Sequence, residues 1–351
     1  MSIPKKSSIL ISGSSPVAIA FATILSACGI KVLVIDELRE ADLRKESFVL
    51  DRYCFSLLEK MGYKLPEADH FLIKTSDFIT QSLSLLATHL SLVFWDTKWT
   101  SNYNISGSNY ILKYRDVDFE HQTEYHFTIN DLVIDVNNEA LNFRNAFVLA
   151  WRLIGIITGN LDAKILQSYP AETALLSKQY ADQSSSKNSF QQLFSRLLKS
   201  KKSEINLIES KISLHLSQHR KVEAGELLKD LDFYDEKLKV NSSLYQWCSY
   251  HHFSVFFFGF LTPSHLFTIA KWIQLNYAVQ LFYLPPSEKN QHIFDAFDIK
   301  EGERKTLIIR PDRYIGLIND AIDIDIIDNY LKSMVLMKHK NTLKATKELD
   351  A

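Results

Sequence analysis

At 351 residues, with 46% hydrophobic and 12% aromatic side chains, the chain is long enough for two or three domains with substantial cores. Its 40 basic and 41 acidic residues leave a net charge of −1, which excludes electrostatic capture of nucleic acid or anionic lipid. The three cysteines, Cys28, Cys54 and Cys248, lie far apart and form no Cys-x-x-Cys, so buried, inert thiols in a reducing compartment are expected. The basic first residues lead into an apolar run that holds Pro16, which reads as strand, turn and helix and not as a secretory signal. No uninterrupted apolar run reaches ~18 residues. The nearest, 146–158, is broken by Arg152. The expectation is a soluble, cytoplasmic protein with neither a membrane nor a nucleic-acid partner.

Residues 8–12 form a short apolar, β-branched run, as a buried parallel strand requires. Gly13 can turn the chain back, and Pro16 suits the first turn of a helix, where its missing N–H costs nothing. That helix is predicted to run to about Cys28 and stop at Gly29. Residues 32–35 form the next strand, and Asp36 closes it, 23 positions after Gly13. A carboxylate there can accept from an adenosine ribose hydroxyl. The unit has the shape of a dinucleotide-binding βαβ motif in which Ser15 and Ala18 replace two of the three usual glycines. The anion site of such a motif rests on backbone N–H groups, so Ser15 can still donate, although its Cβ narrows the approach of a pyrophosphate.

Residues 46–62 read as one amphipathic helix closed by Gly62. Residues 78–95 read as helix then strand, and 106–127 as antiparallel strands. His121 and His126 fall on opposite alternation phases with no acid or cysteine at metal spacing, so packed or solvated histidines are expected. Residues 132–135 read as a strand ending in Asp135, followed by a strong helix over 139–158 and a second over 162–181 that Pro170 kinks or divides. A turn at 184–188 and a basic helix at 190–202 follow, then an amphipathic stretch at 206–222 and a linker at 222–230. The pattern from 253 onward is β/α: a fully apolar strand at 253–260, a helix opened by Thr262-Pro263, and a strand at 279–284. Two further strands at 306–310 and 313–318 are joined at Pro311-Asp312, and a last helix over 326–337 is capped by Asp325. That order is the layout of a thioredoxin-like domain, and without Cys-x-x-Cys it cannot run dithiol chemistry.

Four stretches together resemble the FAD-dependent aromatic hydroxylases of the para-hydroxybenzoate and phenol hydroxylase type. They are the βαβ unit with Pro16 and Asp36; residues 51–62; the helix Asn142-Phe-Arg-Asn-Ala-Phe-Val-Leu-Ala-Trp-Arg-Leu153 followed by Gly159, Leu166, Tyr169 and Glu172; and Ala224-Gly225-Glu226 with Arg310-Pro311-Asp312-Arg313-Tyr314. The resemblance implies an α/β fold: a Rossmann-like FAD-binding domain over 1–183 with a reduced substrate sheet at about 63–131, a helical connection over 184–222, a thioredoxin-like domain over 223–338 lacking CxxC, and a tail over 339–351. It implies FAD as cofactor, with NAD(P)H only if the protein is active. The candidate cofactor-binding residues are Gly13, Ser14, Ser15, Pro16, Val17, Asp36, Glu37 and Asp135; no catalytic residue and no metal ligand stands out.

The sequence also departs from the family pattern. It contains no Asp-Gly dipeptide, and Ile134-Asp135 is what remains of the Gly-Asp motif that holds the ribityl chain. No glycine lies between Asp135 and Leu149, where the family's flavin-covering loop belongs, and Lys45 and Glu46 stand where an arginine meets the pyrophosphate. Three readings stay open. The chain retains weak FAD or adenosine-moiety binding, is impaired or inactive in hydroxylation, and works as a homo-oligomer or as the partner of a related full-length flavoprotein. Alternatively it is an active FAD/NAD(P)H-dependent monooxygenase with a compact substrate site, or a non-catalytic interaction protein with no cofactor.

Overall fold

The computed structural model describes residues 3–37, 47–64, 72–89, 91–102, 109–114, 117–134, 138–185 and 205–340. Two compact units result, Met1–Ala150 and Trp151–Ala351.

In the first unit the βαβ motif forms as expected. Strand β1 (Lys6–Ser12) leads to helix α1 (Pro16–Ala27) and strand β2 (Val32–Ile35), which pairs parallel with β1. Residues 46–62 are not one helix. Strand β3 (Ser47–Val49) pairs antiparallel with β4 (Leu72–Lys74), and helix α2 (Arg52–Lys60) starts only after Asp51. The reason is local: the Asp51 carboxylate accepts from the Cys54 N–H at 2.8 Å and caps the helix there. Phe48 therefore reaches the core from a strand, stacked on Phe143 and edge-on to Phe78.

Helix α3 (Thr75–Thr88) and strand β5 (Leu92–Phe94) match the predicted helix and strand at 78–95. Strands β6 (Thr97–Asn102), β7 (Asn109–Tyr114) and β8 (Val117–Thr128) form an antiparallel meander. The meander is continuous with the parallel strands, because β8 also pairs parallel with β1. One six-stranded sheet results, in the order β5-β2-β1-β8-β7-β6. Ile9, Leu10 and Ile11 are fully buried, which is why the strand reads as an unbroken apolar run.

His121 and His126 are packed, as expected. His121 Nδ1 donates to the Pro4 carbonyl at 2.7 Å, and His126 Nε2 shares a hydrogen bond with Ser12 Oγ at 2.8 Å. The described residues 132–134 of the strand expected at 132–135 form no strand. Ile129–Leu132 forms a one-turn helix, α4, because the Asp131 carboxylate accepts from both the N–H and the hydroxyl of Thr128. Helix α5 (Glu139–Ile157) contains the boundary between the units. By length and composition it is also apolar enough to cross a membrane, contrary to the run-length expectation, and most of it is buried in the fold.

In the second unit, Asp162 caps a 3-10 segment (Ala163–Ser168), and helix α6 (Tyr169–Ser185) follows, so Pro170 divides the predicted helix at its own first turn. Most of the expected 184–188 turn and the whole basic helix at 190–202 lie outside the described residues. Residues 206–222 form turns and a two-residue strand, β9 (Leu214–His215), and no amphipathic helix. The hairpin β10 (Asp232–Asp235) and β11 (Val240–Ser243) and the short helix α7 (Leu244–Trp247) precede the apolar strand β12 (Ser254–Gly259).

Then come α8 (Pro263–Asn276), β13 (Gln280–Leu284), α9 (Gln291–Ala296), β14 (Arg304–Ile309), β15 (Ile315–Asn319) and α10 (Ile324–Asn329), which runs into a π-helical turn at Tyr330–Met334. The cap of that last helix is Asp323, which accepts from the amides of Asp325 and Ile326, so the helix starts two residues earlier than expected and ends sooner. The sheet order is β13-β12-β14-β15-β9. Val255 and Phe257 of β12 join Ile269 and Ile273 on one face of the sheet, while Phe256 and Phe258 join Phe294 and Phe297 on the other. Both faces are covered, so every residue of β12 is buried.

Residues 222–230 are not a free linker. The Gly225 N–H donates to the Ile315 carbonyl, the Ile315 N–H to Glu226, and the Leu228 N–H to Arg313. Gly225 holds φ at +91°, and a Cβ there would sit 2.4 Å from the backbone carbon of Leu207, so this glycine permits a close approach of two chain segments.

Candidate functional site

A cleft of about 470 Å³ opens at the C-terminal ends of β1 and β2, lined by residues 12–15, 35–37, 97–98 and 128–129. In a parallel sheet this is the end at which ligands bind, since strands hand over there to helix N-termini. Gly13, Ser14, Ser15, Asp36 and Glu37 all line it. Pro16 and Val17 open α1 behind the turn, and the Val17 side chain is fully buried. Asp135 lies outside the described residues. Thr97, Lys98, Thr128 and Ile129 join the cleft unforeseen. Their contribution depends on the meander folding back beside β1, a long-range pairing that no local pattern signals.

The turn uses most of its own donors. The Gly13 N–H donates to the Ile35 carbonyl at 2.8 Å. The Ser14 N–H donates to Asp36 Oδ2 at 2.7 Å, and the Ser14 hydroxyl donates to the same oxygen. Ser15 Oγ accepts from the Ala18 N–H and caps α1. The amides of Ser15 and Val17 have no partner among the described residues. Asp36 is held by its backbone as well: its N–H donates to the Phe94 carbonyl, and its carbonyl accepts from Thr97. Gly13 has φ at +111°, and a Cβ there would lie 2.8 Å from Ile129 Cδ1, so Ile129 already fills the space the glycine leaves. The residues present fit the adenosine end of a dinucleotide: a carboxylate closing β2 beside the amides of a twelve-residue helix. Arg52 opens α2, and Lys45 and Glu46 lie outside the described residues.

The second unit holds a buried ionic cluster. Glu172 bridges Arg152 at 2.6 Å and Arg310 at 2.6 and 2.9 Å, and accepts from Ser210 at 2.5 Å. Asp312 takes two bonds from Arg310 and one from the Trp151 indole at 2.8 Å. The Arg152 guanidinium lies 4.2 Å from the Trp151 ring centroid. Burial works against the Glu172 charge, but Arg310 and Arg152 overcome it and hold the carboxyl at about 2. Trp151, Arg152 and Glu172 belong to the third stretch of the resemblance, and Arg310 and Asp312 to the fourth. Strands β14 and β15 are joined by the tight turn expected at Pro311-Asp312: the Arg313 N–H donates to the Arg310 carbonyl at 2.8 Å and the Arg310 N–H to the Tyr314 carbonyl at 2.9 Å, while the Arg310 and Asp312 side chains join the cluster.

Other groups offer little chemistry. A wider, open concavity of about 670 Å³ lies between the β10–β11 hairpin and α9. Its Lys289 ammonium sits on the Tyr234 ring at 3.7 Å, and His292 Nε2 donates to the Asp232 carbonyl at 2.6 Å. Cys54 and Cys248 are buried and Cys28 is half-buried, and burial pushes the Cys28 thiol up to about 12. Among the described residues no cluster of histidine, cysteine and acidic side chains could hold a metal ion.

No protein-family model matches the chain, and no curated protein matches it. Solved structures do. The ternary complex of aklavinone-11 hydroxylase with FAD and aklavinone superposes with a TM-score of 0.72 at 9% identity, covering 95% of this chain and 100% of that one. The flavin-dependent monooxygenase PieE, in complex with FAD and substrate, gives 0.67 at 8% identity, covering 94% and 99%. The OxyS anhydrotetracycline hydroxylase from Streptomyces rimosus gives 0.65 at 11%, covering 94% and 99%. These likenesses define a class by fold. The chain has the fold of the FAD-dependent aromatic hydroxylases.

Proposed function

We propose that this chain is a flavoprotein-monooxygenase-type protein that docks the adenosine end of FAD in the cleft of its first unit and is impaired in aromatic hydroxylation. The observation that carries the reading is the cleft itself, where Asp36 and the start of α1 line the mouth of a parallel sheet whose fold is that of FAD-bound hydroxylases. In this reading Asp36 accepts from a ribose hydroxyl, and the Ser15 and Val17 amides hold the phosphates. When bound, FAD supplies the redox-active ring. Impairment is supported by Ile129 filling the space at Gly13, by Ser14 engaging Asp36, and by a sequence without Asp-Gly.

The second unit is read as a thioredoxin-like module. Its support is the run β12-α8-β13-α9-β14-β15-α10, with β13 and β12 parallel and β14 antiparallel to both β12 and β15. With Cys248 buried and no Cys-x-x-Cys in the chain, its role is packing or association, with a second copy or a related flavoprotein as partner.

The test is the absorption spectrum of the purified protein after FAD is added and the mixture is gel-filtered. Flavin absorbance should travel with the protein, and NAD(P)H oxidation should not rise across a panel of phenols. A colourless protein overturns the docking reading, and phenol-stimulated oxidation overturns the impairment. Asp36→Ala should weaken FAD binding by roughly ten- to a hundredfold, the worth of a charge-assisted hydrogen bond.

A further inference from the structure

We infer that Ile129 is a specificity-determining residue that ends the ligand at its second phosphate, so that the cleft, given the nucleotide docking proposed above, takes an adenine nucleoside diphosphate in preference to a dinucleotide. The cleft spans the ends of three neighbouring strands, β2, β1 and β8, in that order across the sheet. Asp36 follows β2, the amides of Ser15 and Val17 lie where β1 hands over to α1, and Ile129 follows β8 and opens α4. A ligand with its ribose on Asp36 and its phosphates on the α1 amides is thus laid across the sheet toward β8. Any group carried by the second phosphate next meets Ile129.

Ile129 is fixed in that position. The parallel register of β1 and β8 sets Thr128 opposite Ser12, so Ile129 comes up beside Gly13. Three atoms of its side chain crowd the glycine: a Cβ on Gly13 would lie 2.8 Å from Cδ1, 3.1 Å from Cβ and 3.4 Å from Cγ1. The Asp131 carboxylate pins the turn that carries it, accepting from the Thr128 N–H at 2.6 Å and from the Thr128 hydroxyl at 2.8 Å. The Val133 N–H donates to the Ile129 carbonyl at 2.8 Å and holds the other side of the turn. A β-branched side chain in a helical turn has few other rotamers to swing into. A diphosphate that stops at its terminal oxygens needs no room on the β8 side. A sugar or ribityl chain attached to it does, and forcing carbon into filled space is penalised. The size of the cleft agrees, since about 470 Å³ shared among three strand ends lies in the lower half of the range for ligand pockets.

Calorimetric titration of the full chain with ADP, ADP-ribose and FAD, in the native protein and in Ile129→Ala, tests this. The native protein should bind ADP about tenfold more tightly than ADP-ribose or FAD. Ile129→Ala should raise the affinity for both larger ligands relative to ADP by about the same factor. Reading the ratio across the two proteins cancels the extra charge of the terminal phosphate of ADP. A ratio that does not move, because the substitution leaves all three affinities alone or shifts them equally, overturns the inference and leaves nucleotide docking intact. So does a penalty that appears only between ADP-ribose and FAD, which belongs to the flavin end and not to Ile129. Failure of every form to bind ADP or FAD removes the docking reading itself, and the inference with it. Ile129→Val deletes only Cδ1, the atom nearest Gly13, and serves should the alanine form fold poorly. It should raise the FAD-to-ADP affinity ratio about threefold, and a ratio no higher than the native one overturns the inference.

Discussion

Glu172→Ala should destabilise the second unit by about 3–5 kcal/mol, the cost of stripping the partner from a buried ion pair. Glu172 lies between two guanidinium groups that are themselves fully buried, and its oxygens take three bonds from them. Alanine leaves Arg152 with Ser168 and Arg310 with Asp312 but strands two positive charges close together without the carboxylate between them. Guanidinium chloride unfolding followed by tryptophan fluorescence reads the loss directly, since Trp151 is part of the cluster. A shift below ~1 kcal/mol would place Glu172 in the class of solvated ion pairs and contradict its burial. Replacing Arg152, Glu172, Arg310 and Asp312 together by apolar residues of similar size should cost less than Glu172→Ala alone, because no charge is then left unpaired.

That cluster changes the meaning of the sequence resemblance. Trp151, Arg152, Glu172, Arg310 and Asp312 are far apart in the chain and meet in one buried network of the second unit. Their spacing is legible in the sequence, but their purpose is not, because a charged residue on an apolar helix reads equally as a site or as one end of a buried pair. Here they act as structure. The third and fourth stretches of the likeness therefore report how α5, α6 and the β14–β15 connection are tied together, and say little about whether the chain performs redox chemistry.

Elements set by short-range physics were legible. Pro16 and Gly29 bound α1, Gly159 ends α5, and Thr262-Pro263 opens α8 with the threonine hydroxyl accepting from His265. The alternation of β12 was hidden because both faces of its sheet are covered, yet its unbroken apolar run still marked it as a strand. Reading failed where a side chain decided between two local states. Asp51 capping Cys54 set the start of the helix expected over 46–62 at Arg52, and Asp131 bonding Thr128 formed a helical turn just ahead of the expected strand. In the cleft, Gly13 and Asp36 were found from their spacing. That Ser14 would spend its hydroxyl on Asp36, and Ile129 its side chain on Gly13, depends on three-dimensional placement that no pattern encodes.

Acid should unfold the protein in two separable steps. The first belongs to His251, which burial, reinforced by the neighbouring His252, lowers from its usual 6.5 to about 4. The folded state resists this proton, so stability present above pH 6.5 is lost as pH falls toward 4. His251 is partly open to solvent, so this step should be shallow. The second belongs to Glu172, whose carboxyl is held at about 2 against an ordinary 4.5. Between those values the unfolded chain binds a proton that the folded one does not, so stability intact above pH 4.5 drains away as pH falls toward 2. The loss is on the order of 3 kcal/mol. Urea midpoints measured from pH 7.5 to 2.5 resolve the steps. His251→Gln should flatten the upper one and leave the lower. Glu172→Gln should do the reverse, starting from a lower stability at neutral pH, because the amide satisfies some bonds but carries no charge for Arg152 and Arg310. A native midpoint that stays level below pH 4.5 would mean that Glu172 is protonated in the fold, and the buried cluster would then carry an uncompensated positive charge.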